Sequence, residues 1–411
     1  MDEHDVVLDA PASAASRTSY RDLVRGADRS FVVLAVAARL PTAMLPLGLL
    51  LYVADRTGSY GTGGLAVAAL SVGGGVGGPL VGLASDRFGQ RPTALVATLV
   101  QALGLAALLA LGASPHLALL LAVSALVGLT NPQVGAMARS RWAALGRSRT
   151  DRSSFTAAAM AWEGAVDETS FVVGPVLVGT VAGTLSPTAG LVLALVLAAT
   201  TQTAFGLHRS ALPGRGHAPR VHGSREPVPV ALFGCLLLAM GAVGVVFGVT
   251  QTGVAARMAE QGTAGLTGPV YAAMGVGSAL AGLLTTRLPS AWTLPARIAG
   301  GGALLVVGGL LTAPAQQPAL LAVGCLVLGI ALGPVLVSAY ALAERSTPPG
   351  RSTTTMTALA TANVVGVAAG AAAAGILVDQ VSPGAALLVD SLAGALVLVA
   401  GLVLVGLRRT T

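Results

Sequence analysis

The chain has no lysine. All 24 of its basic residues are arginine, a bias of the kind a GC-rich genome imposes. Charge of either sign is scarce, at 10% of residues, where soluble domains carry about 25%. So few charged groups cannot form a water-facing shell, and an ordinary soluble protein is excluded. There are only two cysteines, Cys235 and Cys325, both inside apolar stretches. That excludes a disulfide framework, and no ligand spacing suits a metal. The five histidines, His4, His116, His208, His217 and His222, fall in tails, loops or span ends, so no histidine proton relay is supported. Aromatics are limited to 7 Phe, 5 Tyr and 3 Trp, few for the stacked rings of a sugar site. No Ser-His-Asp set, phosphate loop or paired CxxC is recognisable, so no enzymatic chemistry and no cofactor are expected.

What the chain does have is apolar length. Hydrophobic residues make up 54% and the mean hydropathy is +0.79 over 411 residues. A spanning helix needs about 20 apolar residues, so twelve would use roughly 240 and leave no room for a large soluble domain. Apolar runs between charged breaks give twelve candidate spans: 30–53, 60–84, 92–112, 116–138, 154–181, 186–207, 230–254, 263–286, 297–313, 318–341, 353–378 and 383–407. The expectation is an all-α membrane protein. Residues 1–29 read as a cytosolic tail, because four acids precede the first Arg and no apolar core follows as in a cleavable signal. A Pro- and Gly-rich linker over 208–229 separates two six-helix halves, 30–207 and 230–407, and residues 408–411 form a short cytosolic end.

Arginine placement orients the chain. With the N-terminus inside, 21 of 24 arginines fall on cytoplasmic segments, including Arg87, Arg91, Arg139, Arg141, Arg147, Arg287 and Arg351. Arg56 and Arg257 fall on the other face and Arg39 within the first span. Both termini are therefore expected in the cytoplasm, in the plasma (inner) membrane. The net charge of +7 marks cytoplasmic loops rather than a nucleic-acid partner. The halves also repeat weakly. Gly82, Leu83 and Arg87 recur as Gly282, Leu283 and Arg287, Arg152-Ser153 as Arg351-Ser352, and Gly174 as Gly375, at offsets near 200.

The most specific string runs from Gly82 through Asp86, Arg87 and Gly89 to Arg91, at the turn between spans two and three. It resembles the signature of the major facilitator superfamily: Gly, three residues, Asp, Arg, any, Gly, any, basic. The usual second basic residue is replaced by Pro92. The resemblance, which covers nearly the whole chain, implies two six-helix halves that rock around a midplane site. It also implies that Asp86 latches the cytoplasmic side in the outward-open state, near Ser352 and Thr353, with Arg87 and Arg91 holding it in place. From the residues themselves, Gly82 would allow close helix approach and Gly89 a positive-φ turn.

A second signal is charge at membrane depth. Glu163, Asp167 and Glu168 lie in the fifth span, Arg39 in the first and Asp390 in the twelfth. Each costs at least about 2.5–3.5 kcal/mol on insertion scales. Arg39 and Glu163 both lie about 14 Å in from the same face and are expected to pair. One Arg cannot neutralise three carboxylates, so at least one is expected to exchange protons near neutral pH, with Asp167 the first choice. A structural ion pair is the alternative. Asp390 reads as structural or near-interface. Pro175, after Gly174 and before Gly179, should kink the fifth span. This is a partial match to the Gly-Pro signature of proton-driven exporters. Their intramembrane Arg, four residues before a Gly of the fourth span, is absent: that position is Asn131.

Asn131, Gln133 and Asn363 are candidate hydrogen bonders to substrate, with interhelical packing as the alternative. Trp162, Phe171 and Tyr340 are candidate cavity aromatics. The functional expectation is a secondary transporter exporting a small organic molecule, driven by the proton gradient and acting as a monomer. Uptake or facilitated diffusion of a polar metabolite is one alternative, and a non-transporting membrane sensor or scaffold another.

Overall fold

The computed structural model describes residues 28–111, 116–147, 149, 151–214, 230–285, 289, 292–347 and 352–409, the side chains of 153, 157, 352–354, 408 and 409 excepted. Expectations placed on residues 1–27, on 215–229 and on Arg287 and Arg351 lie outside them. Twelve helices are long and apolar enough to cross a membrane. In chain order, α1 has two segments, Arg29–Ala37 and Leu40–Thr57. Next come α2 (Tyr60–Phe88), α3 (Gln90–Ala110) and α4, itself in two segments, Leu117–Leu129 and Val134–Gly146. The first half closes with α5 (Arg152–Thr184) and α6 (Pro187–Leu197), which continues through a π-turn at Ala198–Gln202 into Thr203–Leu207. The second half holds α7 (Val230–Glu260), α8 (Thr267–Leu284), α9 (Leu294–Thr312), α10 (Pro318–Ser346), α11 (Ser352–Gln380) and α12 (Pro383–Arg409).

An even number of spans returns the chain to one side. The ends of the described chain and the start of the linker therefore share a face, called here the terminal face. Large apolar side chains such as Leu99, Leu103, Leu310, Leu392 and Leu402 are exposed around the bundle. That arrangement suits hydrocarbon rather than water. The glycine run in α2 serves packing: a side chain at Gly73 or Gly77 would strike the backbone of α4 at Ala125 or Leu129.

Both interrupted helices have a proline cause. Pro41 has no N–H, which frees the Ala37 carbonyl one turn earlier. That carbonyl accepts from the Thr201 hydroxyl at 3.4 Å, and the next, Ala38, from Gln202 Nε2 at 3.4 Å. Pro132 does the same to α4, where the Asn131 N–H bonds the Gly128 carbonyl at 3.1 Å. The fourth span was expected to end at 138. Instead α4 resumes after Pro132 and runs to Gly146, which carries Arg139, Arg141 and Trp142 out of the expected loop and into a helix.

Candidate functional site

The break in α1 places Arg39 with its side chain turned between α4 and α5. Its Nη2 donates to Glu163 Oε2, its Nε to Asp167 Oδ1 at 2.7 Å, and its Nη1 to the Ala35 carbonyl at 2.7 Å. Glu163 and Asp167 are four apart and present both carboxylates on one face of α5. The expected Arg39–Glu163 pair is therefore present, and Asp167 shares the same guanidinium. Glu163 is fully buried, and its other oxygen accepts from Trp142 Nε1 at 2.7 Å.

The expectation of a single cation is corrected. Arg139 Nη2 bonds Asp167 Oδ2, so a second arginine enters from α4. Two arginines face two carboxylates, and the set is electrically balanced. Arg139 and Arg141, expected on a cytoplasmic segment after the fourth span, lie instead in the second segment of α4, and the sequence carries a signal for it. Val134, Met137, Ala138, Arg141 and Trp142 are all buried, the i, i+3, i+4, i+7, i+8 stripe of an inward helix face.

Arg141 is 1% exposed and pairs with no carboxylate among the described residues. Its donors go to Gln90 Oε1 at 2.7 Å, the Phe205 carbonyl at 3.2 Å and Ser210 Oγ at 2.9 Å, and it stacks 3.8 Å from the Phe205 ring centre. The guanidinium thereby fastens the start of the linker to the bundle. Beside it, Asp28 caps α1 through the Ser30 N–H at 3.0 Å and receives Arg209 Nε at 2.8 Å. Hydrogen bonds from Ser30 and Arg209 hold the Asp28 carboxyl well below the usual carboxylate range. This cap is present at neutral pH and is lost only when strong acid protonates it.

Glu168, adjacent to the pair but rotated about 100° from Asp167, has no hydrogen-bond or ion-pair partner among the described residues. Asp390 is fully buried in the second half. Its Oδ2 accepts from Thr250 Oγ1 at 3.0 Å and its Oδ1 has no partner among the described residues. Of the two expected readings, structural or near-interface, its burial between α7 and α9, beside Gly309, fits the structural one.

The turn motif behaves in part as expected. Gly89 has φ 97° and ψ 157°, ends α2 and begins α3, and packs against Leu212 and Gly214 of the linker. This conformation is essentially restricted to glycine and costs of order 1–3 kcal/mol for other residues. Gly89→Ala is therefore expected to lower thermal stability by about that amount. Melting of the purified protein beside the wild type tests it, and an unchanged transition would mean the turn relaxes freely. Gly82 departs from expectation, since a side chain there would meet nothing within 4 Å. It lines a polar cleft of about 470 Å³ with Asp86, Gln133, Arg147 and Arg152. Asp86 is exposed with no ion-pair partner among the described residues, and Arg87 lies 5.2 Å over the Phe88 ring rather than on Asp86. Arg91 is exposed too. The side chains of Ser352 and Thr353, its expected latch, lie outside the described ones.

The described hydrogen bonds between the halves all sit at the face opposite the termini. Asp379, near the end of α11, accepts from Ser59 Oγ at 2.6 Å and from the backbone N–H groups of Tyr60 and Gly61 at 2.9 Å each. It thus caps the N-terminus of α2 from the other half. Tyr60 also donates to the Ala255 carbonyl of α7 at 3.4 Å. Glycines allow the seam to close. A side chain at Gly64 would strike the Ala371 carbonyl, and one at Gly375 would strike Tyr60. A Cβ on Gly179 would come within 2.6 Å of Gly268 N. Gly174 instead fits α5 against α1 within its own half, where a Cβ would come 2.7 Å from that of Ala43. The repeat pair Gly174 and Gly375 therefore does different work in the two halves. The helical assignment of α5 runs unbroken through Pro175, and the Pro175 carbonyl abuts Gly268.

Among the described residues a crevice lies between α5 and the pair α8 and α10, on the terminal-face side of the Gly179–Gly268 contact. The six candidate substrate residues do not converge on one place. Asn131 Oδ1 is taken by Thr42 at 2.9 Å and Gln101 at 3.3 Å, and Asn363 donates to the Met240 carbonyl at 3.2 Å. Gln133 lines the polar cleft, Trp162 packs on the apolar cluster of Phe31, Trp142 and Phe155, Phe171 is exposed on α5 and Tyr340 packs on the core of the second half.

Two six-helix bundles of membrane-spanning helices joined along one face, with compensated charge in the interior, fit a membrane transport protein. The chain matches the family model of the Major Facilitator Superfamily over residues 31–371 and belongs to that family. It is a transporter and not an enzyme. Its fold is similar to that of the nucleoside transporter NupG, with a TM-score of 0.72 at 13% identity, covering 91% of this chain and 98% of that one. It is also similar to the POT family transporter PepTSo, with a TM-score of 0.67 at 12% identity over 93% and 97%. For the human organic anion transporter MFSD10 (TETRAN) the TM-score is 0.58 at 19% identity over 91% and 99%. At these identities the likeness is one of fold. No curated protein matches by sequence.

Proposed function

We propose that the protein is a proton-coupled exporter of a small amphipathic molecule. It would work as a monomer in the plasma membrane with the terminal face in the cytoplasm. The positive-inside bias of its arginines supports that orientation. We read the state as inward-open, with Asp86, which is exposed, engaging the start of α11 when the cytoplasmic side closes.

One observation carries the coupling. Glu163 and Asp167 take up both arginines, and Glu168 is left over, half-way along a 33-residue helix. A carboxylate without a cation at that depth is costly, and binding a proton removes the cost. The coupling proton is therefore assigned to Glu168 in preference to Asp167, which is held between two guanidinium groups. Release in one state and uptake in the other would link a gradient to the rocking of the halves.

The test begins with a thermal-shift ligand panel on purified protein to find a substrate. Accumulation in proteoliposomes is then measured with and without a pH gradient. Glu168→Gln is expected to abolish gradient-driven accumulation while counterflow persists. Were Glu163→Gln, Asp167→Asn and Glu168→Gln, tested singly, all to leave accumulation intact, coupling through α5 would be wrong.

A further inference from the structure

Past α6 the chain turns back along the terminal face, and His208 is the first residue of that turn. Its side chain is 9% exposed, and both ring nitrogens are engaged. Nε2 lies 3.0 Å from Ser30 Oγ and 3.4 Å from Asp28 Oδ2, at the start of α1. Nδ1 accepts the Ser210 N–H at 3.2 Å, and the Ser210 hydroxyl lies 2.8 Å from the same nitrogen. A ring nitrogen that accepts a backbone N–H carries no proton, so this geometry requires the neutral imidazole with its hydrogen on Nε2. Ser210 is also where Arg141 holds the linker, Nη1 to Oγ at 2.9 Å. Two residues on, the Leu212 carbonyl accepts the Gln90 N–H at 2.9 Å, and a side chain at Gly214 would strike the Arg87 carbonyl. One short stretch of chain thus joins His208 to the α2–α3 turn that carries Asp86.

We propose that His208 is a pH-sensitive clasp on the linker: a proton taken up at Nδ1 removes the acceptor of the Ser210 N–H and frees residues 210–214 from the α2–α3 turn. The Ser210 hydroxyl would then be left between two cations, the imidazolium and Arg141. The charged groups facing the ring are Asp28 ahead of α1, Arg141 of α4 and Arg209 beside it. Asp28 favours the imidazolium and the two arginines oppose it. Burial, together with the arginines, outweighs Asp28 and holds the His208 pKa below the usual histidine value. Above about pH 6.5 the ring is neutral whether clasped or free, and the clasp is intact. As the pH falls below that, the free ring takes the proton more readily than the clasped one, so acid opens the clasp. Asp28 stays ionised over this interval, since its carboxyl is held far lower. With the clasp open, the turn bearing Asp86 loses the backing of the linker. On the orientation proposed above, the acid that does this is the cytoplasm's. The clasp itself does not depend on what the protein carries or on whether protons drive it.

Amide hydrogen exchange, read by mass spectrometry on the full chain in lipid nanodiscs, tests the clasp. Labelling times are scaled to the intrinsic exchange rate at each pH. Between about pH 7.5 and about pH 5.5, protection of peptides covering 208–214 and 88–93 should fall at least about threefold, while peptides within α9 keep theirs. His208→Asn retains an oxygen that can accept the Ser210 N–H but does not titrate. Its protection should be the same at both pH values. Asp28→Asn removes the one anion facing the ring and still caps α1, so its loss of protection should set in at lower pH. Wild-type protection unchanged over that interval, or an equal fall in His208→Asn, would overturn the proposal. Neither measurement involves transport, so failure of the clasp is told apart from failure of the coupling assigned to Glu168.

Discussion

Arg39→Met is expected to destabilise the protein by about 3–5 kcal/mol, the range for removing one partner of a buried ion pair. The guanidinium side chain is 6% exposed and Glu163 is fully buried. The mutation leaves the Glu163 carboxylate with Trp142 as its described partner, and removes one of the two arginines that hold Asp167. The double variant Arg39→Met with Glu163→Gln should recover much of the loss, because no uncompensated charge then remains. Arg139→Ala is the contrasting case. Its side chain is 40% exposed, solvent screens the pair, and a loss of about 1 kcal/mol or less is expected. Melting of the three variants in one detergent ranks them. A single Arg39 variant as stable as the wild type, or a double variant no better than the single, would mean that the cluster is not a dry, coupled set.

Asp379→Ala should release the face opposite the termini. Removal of a helix N-cap costs about 0.5–2 kcal/mol, which amounts to roughly a 2- to 30-fold shift in a two-state population. Here the cap spans the halves, so the shift falls on the equilibrium between open states rather than on α2 alone. Nitroxide labels at Leu185 and Val381, both exposed at that face, would report the separation by pulsed electron resonance. The longer distance should gain population by that factor. Gly64→Leu should act in the same direction by steric means, since its side chain would occupy the place of the Ala371 carbonyl. An unchanged distance distribution in Asp379→Ala would remove this residue from gating. The sequence reading passed over Asp379 because an acid near a helix end looks like an ordinary solvated cap. Its partner lies some 319 residues away in the chain.

The charge cluster was half legible. Arg39, Glu163 and Asp167 stood out because ionisable groups inside apolar runs are rare and expensive, and equal depth from one face was enough to pair the first two. Arg139 was missed because charge was taken to end the fourth span, whereas the helix restarts beyond Pro132 and buries Arg141 and Trp142 on one stripe. The second arginine is the reason the proposal above moves the coupling proton from Asp167, which lies between two guanidinium groups, to Glu168.

Composition and periodicity alone determined the membrane class, the twelve spans, the arginine asymmetry and the family-like turn at Gly89. Each of these follows from solvation and local backbone geometry, which act residue by residue along the chain. Tertiary structure decided which side of the bundle is sealed, that Asp379 caps the other half, and that Gly82 has open space around it. It also decided that Asn131 and Asn363 are committed to interhelical bonds and that Glu168 is without a cation among the described residues. These depend on distances between helices far apart in sequence. The same glycine or carboxylate can pack, cap or stand free according to what the fold brings beside it.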